Sequence, residues 1–482
     1  MFMPTLSRKP SVAFGVEASI SPVTRSVLSV LYAALTLYAA FSAPALIGEY
    51  GFSHPAWLLL GIWLGALALA IPIARHAPSR LGIALLGTLC VALRLDPLFH
   101  AWNALPGGDA RLYPEIARHL LDGRGFYVYE PVIGMRMVAF YPPAYAMLLA
   151  GWGAIAGLSA ASLFVLNLLF DAMAAWLIAR LGKRLGRPGA GRAAAWSYLI
   201  WPSTLLAAPF AQKEALCIIL VLGLVHVWFS AATSRQTTWK AVAAIGILTG
   251  LLALTQPGWA TLSLLIGLVL VPQAGLRKIL RAGIPAAGVT MLVMLPWWVR
   301  NAIQLHAFVP LTSAGGVSLW VGNNPGATGD WLPTPIDKWH AHELGYAHDT
   351  ARLASQWIAA NPLEFMRLTA TKFVRALGVE HAGVVRMAAL SPAPSGSLLA
   401  TLLPLAVLPY VALLGATSAA LGVLRQRLPP ILPLLLLAGI AQCALFGVWF
   451  EFGERHRLFL LPLMLLACAC VLFPQREQGK TA

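Results

Sequence analysis

Apolar runs of roughly 17 to 25 residues recur from one end of this chain to the other, the length a helix needs to cross a bilayer. They fit 26–46, 56–74, 81–99, 161–181, 193–210, 215–231, 241–256, 258–272, 283–299, 398–424, 430–450 and 458–474. Membrane barrels show short alternating segments instead, so strands are not expected. Charged residues make up 11% of the 482 and hydrophobic ones 59%, whereas a soluble domain carries about a quarter charged residues. The chain therefore reads as an all-α polytopic membrane protein, a helical bundle of about twelve spans.

The net charge of +16 would suggest nucleic acid in a soluble protein. Here it follows from Lys and Arg gathered in short loops that stay on the cytoplasmic side. Those loops hold Arg75/Arg80, Lys183/Arg184/Arg187, Arg235/Lys240, Arg277/Lys278/Arg281, Arg425/Arg427 and Arg476/Lys480. One further apolar run, 143–158, decides the topology. If it spanned, the Lys183 loop would face outward; if it lies at the interface, every short basic loop shares the side of the amino terminus. The positive-inside rule selects the interfacial reading. Both termini are then cytoplasmic, and two long loops face outward. The expected units are 1–80 (a tail and two extra spans), 81–299 (a membrane core with the first outer loop, 100–160), 300–397 (the second outer loop) and 398–482 (terminal spans and tail). Ser42-Ala43-Pro44-Ala45 resembles a signal cleavage site, but the run before it is too long for a signal peptide. The five cysteines lie in apolar runs without Cys-x-x-Cys spacing and read as small buried hydrophobes.

Chemistry has to come from the polar interruptions. The first long one runs from Gly107 to Tyr145 and contains Asp109 and Glu115. Asp109 follows two glycines, where it either caps a turn or serves as a reactive acid. Glu115 suits a helix amino end. Pro114–Gly123 reads as a short surface helix with a Pro start and a Gly stop. Lys213 and Glu214 form a tight outward turn that is either merely solvated or faces Asp109. Arg300, Arg455, His456 and Arg457 sit at outward span ends, against the positive-inside trend. They anchor lipid headgroups or bind a phosphate, which a planar guanidinium does bidentately. In the second outer loop, 349–360 and 362–378 read as amphipathic helices. The second shows an apolar face of Leu363, Met366, Phe373, Val374 and Leu377 and a basic side of Arg367, Lys372 and Arg375. His340, His342 and His348 beside Glu343 and Asp349 could hold a divalent cation, although their spacing fits no standard zinc pattern. No phosphate-binding P-loop, dinucleotide fingerprint or Ser-His-Asp motif is present.

Four stretches together resemble one family. They are Gly108-Asp109-x3-Tyr113 continuing to Tyr141-Pro142-Pro143-Ala144-Tyr145; Pro202 through Glu214-Ala215-Leu216; Pro296 to Gly329; and Gly453-Glu454-Arg455-His456-Arg457. The chain resembles a GT-C glycosyltransferase of the family 39-like group, similar to protein mannosyltransferases and aminoarabinose transferases. The resemblance runs from about 81 to 474 and implies a GT-C-like bundle. It also implies a sugar donor carried on a polyprenyl phosphate, transfer on the outer face, and Asp109 as catalytic acid/base. Three departures fall at Thr255-Gln256-Pro257, where the family often has Thr-Arg-Pro, at Arg455-His456-Arg457, where it often has Arg-Tyr-Arg, and at Asp109-Ala110, where protein mannosyltransferases carry an Asp-Glu pair. They weigh on the mannosyltransferase substrate more than on the chemistry.

On this resemblance Tyr113, Tyr141, Lys213, Glu214, Arg300, Arg455, His456 and Arg457 would bind the donor, with Arg300, Arg455, Arg457 and Lys213 meeting its phosphate. The partners are a polyprenyl-phosphate-linked sugar, an acceptor of lipid, glycan or protein kind, and membrane lipids, with no nucleic acid. The location is a bacterial-type inner membrane with the site on its periplasmic face. The rivals are a transporter or flippase for polyprenyl-linked saccharides and a ligase for whole oligosaccharides. A transporter concentrates ionisable residues near the bilayer middle; here Asp171 and His226 are the main such intruders, and the larger clusters gather at the surface.

Overall fold

The computed structural model describes residues 21–102, 107–130, 134–329, 342–390 and 395–474. It is almost entirely helical. Among the described residues, nine helices are long and apolar enough to cross a membrane: Pro22–Gly48, His54–Arg75, Arg80–Ala101, Ala160–Arg184, Lys213–Thr233, Pro257–Ala274, Leu276–Leu305, Gly396–Leu421 and Glu454–Leu472. Trp239–Thr255 and Ile431–Gly447 are shorter apolar helices at positions where spans are expected. Lipid offers the backbone no hydrogen bonds, so helices with internal ladders are the natural solution.

Two expected features change. The run 193–210 is not one helix: it breaks into Pro188–Leu199 and Pro202–Ala207. Pro202 forces the preceding Trp201 out of the helical region, to φ −65°, ψ 136°. The small-residue face of the first piece lets it pack closely on Ala160–Arg184, where a Cβ on Gly182 would meet the Gly191 backbone at 2.3 Å. The second change is a small antiparallel hairpin in the first loop, Val128–Glu130 with Met135–Met137, in the register Val128↔Met137.

The polar intruders in the core are satisfied. Asp171 pairs with the fully buried Arg94 at 3.0 Å, and His226 Nε2 meets the Leu177 carbonyl at 2.9 Å. Basic residues also close helix ends: Lys278 donates to the Ala232 carbonyl at the end of Lys213–Thr233. Arg192 donates to the Ile73 and Ala74 carbonyls. Each satisfies last-turn carbonyls that lack intrahelical donors.

The loop-bearing end is assembled from the Asp109–Leu121 helix, the hairpin, the 14-residue Pro143–Ala156 helix and the second loop. At 1.5 Å per residue, Pro143–Ala156 is about 21 Å long, short of the roughly 30 Å hydrocarbon core. The expected helix at 349–360 is Glu343–Ala360, and 362–378 is Pro362–Gly378. The faces of the latter differ from expectation. Leu363 and Met366 are exposed, while Leu368, Lys372 and Ala376, spaced four apart, are buried. Lys372 thus leaves the basic side and donates to Asn323 Oδ1 at 3.0 Å. Burial pushes its ammonium down to about 8.

Ala314–Gly322 crosses Glu343–Ala360 closely at Gly316, where an added Cβ would lie 1.9 Å from the Ala347 carbonyl oxygen. Backbone cannot rotate away as a side chain can. Gly316→Val is therefore expected to cost about 1–3 kcal/mol or more, read as a clear drop in thermal unfolding temperature in detergent. An unchanged midpoint would contradict this packing.

Candidate functional site

The site starts at Gly108. Its φ of +59° suits glycine and lets the chain turn into the Asp109–Leu121 helix with Asp109 as first residue. The helix thus begins five residues before the expected Pro114 start, and Pro114 is buried inside it. It ends as expected: Gly123 has φ +69°, and the Arg124 amide bonds back to the His119 carbonyl. Asp109 is not a side-chain cap. Its carboxylate points across the bundle end instead.

Two cations from distant segments meet it. Lys213 Nζ, at the first residue of Lys213–Thr233, lies 3.4 Å from Asp109 Oδ2. The Arg455 guanidinium, on the short 3₁₀ helix Glu454–Leu460, lies 3.0 Å from the same oxygen. The other Arg455 amino group reaches Glu451 at 3.3 Å. Tyr113, one turn after Asp109, places its hydroxyl 3.2 Å from Lys213 Nζ. Its ring is packed edge-on between Tyr141 and Tyr145 at 5.3 and 5.2 Å.

Burial alone would push the Asp109 carboxyl up. Lys213 and Arg455, helped by the more distant Arg386, outweigh it and hold the group at about 2. Tyr113 is driven well above the usual phenol range, first by burial and then by the Asp109 charge, so it remains a neutral donor.

Asp109, Lys213 and Arg455 form one wall of a cavity of about 350 Å³. Tyr141, Gln256 and His456 line it too, with Phe140, Phe446 and Phe450 supplying an apolar side. Gly258 leaves the space that the Phe446 ring fills, since a Cβ there would be 2.3 Å from that ring. His456 is 4% exposed and stacks on Phe452 with ring centroids 5.9 Å apart. Its buried Nδ1 has no hydrogen-bond partner among the described residues. Two of the three expected departures, Gln256 and His456, therefore lie in the cavity wall.

The structure does not bring every expected residue here. Arg300 donates to the Val138 and Phe126 carbonyls and lies over the Trp297 ring at 4.8 Å. It clamps the first loop to its helix. Arg457 is 2% exposed and donates to the Ala376 and Val379 carbonyls, over the Tyr410 ring at 3.9 Å. Both are structural clamps. Glu214 lines a separate cavity of about 40 Å³ that reaches Asp171 and Tyr198, room for a water or two.

Of the candidate metal ligands, His340 lies outside the described residues. His342 Nδ1 accepts the Gly345 amide at 3.0 Å as a helix cap, and His348 is exposed. Among the described residues no group of three or more His, Cys, Asp or Glu is placed to hold a metal. Glu343 instead accepts from the Val138 and Ala139 amides and from Ser313 Oγ, seating the second loop on the first.

Sequence reasoning missed Arg386, on the short Ala382–Ala388 helix. It lies over the Phe210 ring at 5.6 Å, near enough for its charge to act on Asp109. Like Arg300 and Arg455 it is a basic residue in an expected outer loop, and that was the available signal.

No protein-family model and no curated protein sequence matches the chain. Solved structures similar to it include two of known ligand state. One is the archaeal oligosaccharyltransferase AglB from Archaeoglobus fulgidus, in complex with an inhibitory peptide and a dolichol-phosphate. It is 14% identical at a TM-score of 0.46, covering 86% of this chain and 50% of that one. The other is ArnT from Cupriavidus metallidurans bound to undecaprenyl phosphate, 14% identical at a TM-score of 0.40, covering 81% of this chain and 77% of that one. The chain thus spans about half the length of the AglB chain.

The held-down Asp109 carries a stability consequence. A carboxyl near 2 when folded and near 3.9 when unfolded contributes stability that is present above the unfolded value and disappears as pH falls toward about 2. The stability gap between wild type and Asp109→Asn should therefore be larger at pH 6 than at pH 3, by roughly 1 kcal/mol. Chemical denaturation at the two pH values reads this difference. A gap independent of pH would contradict the ion-paired carboxylate.

Proposed function

We propose that the chain is a membrane glycosyltransferase that moves a sugar from a polyprenyl-phosphate-linked donor to an acceptor hydroxyl. The observation that carries the reading is one carboxylate, Asp109, set against two cations, Lys213 and Arg455, on the wall of a cavity large enough for a sugar and its phosphate. The resemblance of the Asp109, Tyr141 and Arg455 motifs points the same way. We place the cavity on the periplasmic face of a bacterial inner membrane, with both termini cytoplasmic, because the short basic loops all fall on the opposite side.

In this reading the acceptor oxygen attacks the anomeric carbon and forms the new glycosidic bond. The bond from that carbon to the phosphate oxygen breaks, and its electron pair leaves with the polyprenyl phosphate. Asp109 takes the hydroxyl proton. Lys213 and Arg455 stabilise the charge growing on the leaving phosphate, with Arg386 adding a more distant positive charge. Single displacement gives inversion at the anomeric carbon. The donor carries its own activated bond, so no nucleotide site is required. Transport is the weaker reading: Asp171 and His226 are already satisfied by Arg94 and the Leu177 carbonyl.

The test is sugar transfer by purified protein supplied with polyprenyl-phosphate sugars and scored by mass spectrometry of the products. Asp109→Asn should lower the rate about a hundred- to ten-thousand-fold. Full-rate transfer by that variant would remove Asp109 from this role. No transfer across many donors and acceptors would favour transport.

A further inference from the structure

We infer that Lys213 and Arg455 change partners during turnover. In the structure they hold Asp109, and an arriving lipid phosphate draws both away, freeing the carboxylate to accept the acceptor's proton. This rests on the donor reading above and adds an order to it: donor first, acceptor second.

The geometry carries the argument. Both cations end on one oxygen, Oδ2, at 3.4 and 3.0 Å. Among the described residues no hydrogen bond reaches Oδ1. Among the described residues Lys213 pairs with no second carboxylate, and it also meets the neutral Tyr113 hydroxyl, so its flexible four-carbon stem can follow a better anion. Arg455 is tethered through its other amino group to Glu451, a contact about which the planar guanidinium can pivot as a unit. All three groups face the same cavity, so a phosphate entering there meets the very cations that Asp109 occupies. It presents several charged oxygens, and a guanidinium can bind two of them at once.

The resting arrangement is also a poor one for catalysis. A general base works best when its proton affinity matches the working pH, and Asp109 is held at about 2 by its cations. Burial acts in the opposite direction. Drawing the cations onto a phosphate leaves burial to raise the carboxyl, with Arg386 still opposing it. The site is thus a quenched base that its own donor switches on, which keeps the acid idle while no sugar is present.

The experiment is calorimetric titration of the full-length detergent-solubilised chain with farnesyl phosphate, a short soluble polyprenyl phosphate, using farnesol as control. Wild type, Asp109→Asn, Lys213→Met and the double variant are compared, each shown to be monodisperse. Removing the competing carboxylate should tighten farnesyl phosphate binding by about tenfold or more. In the Lys213→Met background the same change should bring less than about threefold, because much of the effect passes through that lysine. Asp109→Ser must tighten binding as Asn does, and a misfolded protein could not produce such a gain.

Equal or weaker binding by the Asp109 variants overturns the inference. So does equal tightening in both backgrounds, which would mean simple charge repulsion. Wild type that binds farnesyl phosphate no better than farnesol removes the donor reading itself, and this inference with it.

Discussion

The loop-bearing end of the molecule depends on one ion triad. Asp109 joins Lys213, 104 residues away, and Arg455, 346 residues away, at the end of a bundle whose interior offers charge little solvation. The triad sets three helix starts against one another, with its side chains still partly exposed to the cavity. The cavity is the space left over when those starts are held apart by aromatic rings. Gly108 supplies the turn, Tyr113 steadies the lysine, and Glu451 steadies the arginine. Position and charge state therefore come from the same contacts.

A second tier holds that end together and takes residues away from the chemistry. Arg300 and Glu343 grip the 126–139 segment from two sides, one donating to its carbonyls and the other accepting its amides. Arg457 does the same for the carbonyls at the end of Pro362–Gly378. Irregular backbone near a membrane has few hydrogen-bond partners, and arginine with five donors is suited to supplying them. Basic residues at outward span ends thus divide into two uses. Some complete the backbone, and some remain directed at the cavity.

That division explains how much was legible in the sequence. Apolar run length identified nearly every long helix, because burial in lipid depends on composition more than on detail. The run 193–210 misled because Pro202 breaks a segment that remains apolar throughout. Asp109, Lys213 and Arg455 could be named from polarity and position, and Tyr113 from the family resemblance of its stretch. Sequence could not say that Arg300 and Arg457 would be consumed by carbonyls, since a hydrogen bond to backbone leaves no mark in composition. Lys372 was misassigned because its four-residue spacing to Leu368 and Ala376 outweighs its charge once Asn323 offers a partner. Arg386 lay in a stretch with no motif, and only the folded chain brings it near Asp109.

The central claim is that the Asp109, Lys213 and Arg455 cavity receives a lipid-linked sugar phosphate. An experimental structure of the full chain in a lipid nanodisc, with a non-hydrolysable polyprenyl-phosphate sugar analogue, tests it most directly. The account predicts the phosphate within hydrogen-bond distance of Lys213 Nζ and the Arg455 guanidinium, the sugar against Gln256 and His456, and Asp109 no longer bonded to either cation. A phosphate bound elsewhere would contradict it, for example in the apolar crevice between Pro22–Gly48 and Gly396–Leu421 lined by Pro44, Phe52 and Leu408, with the triad left intact.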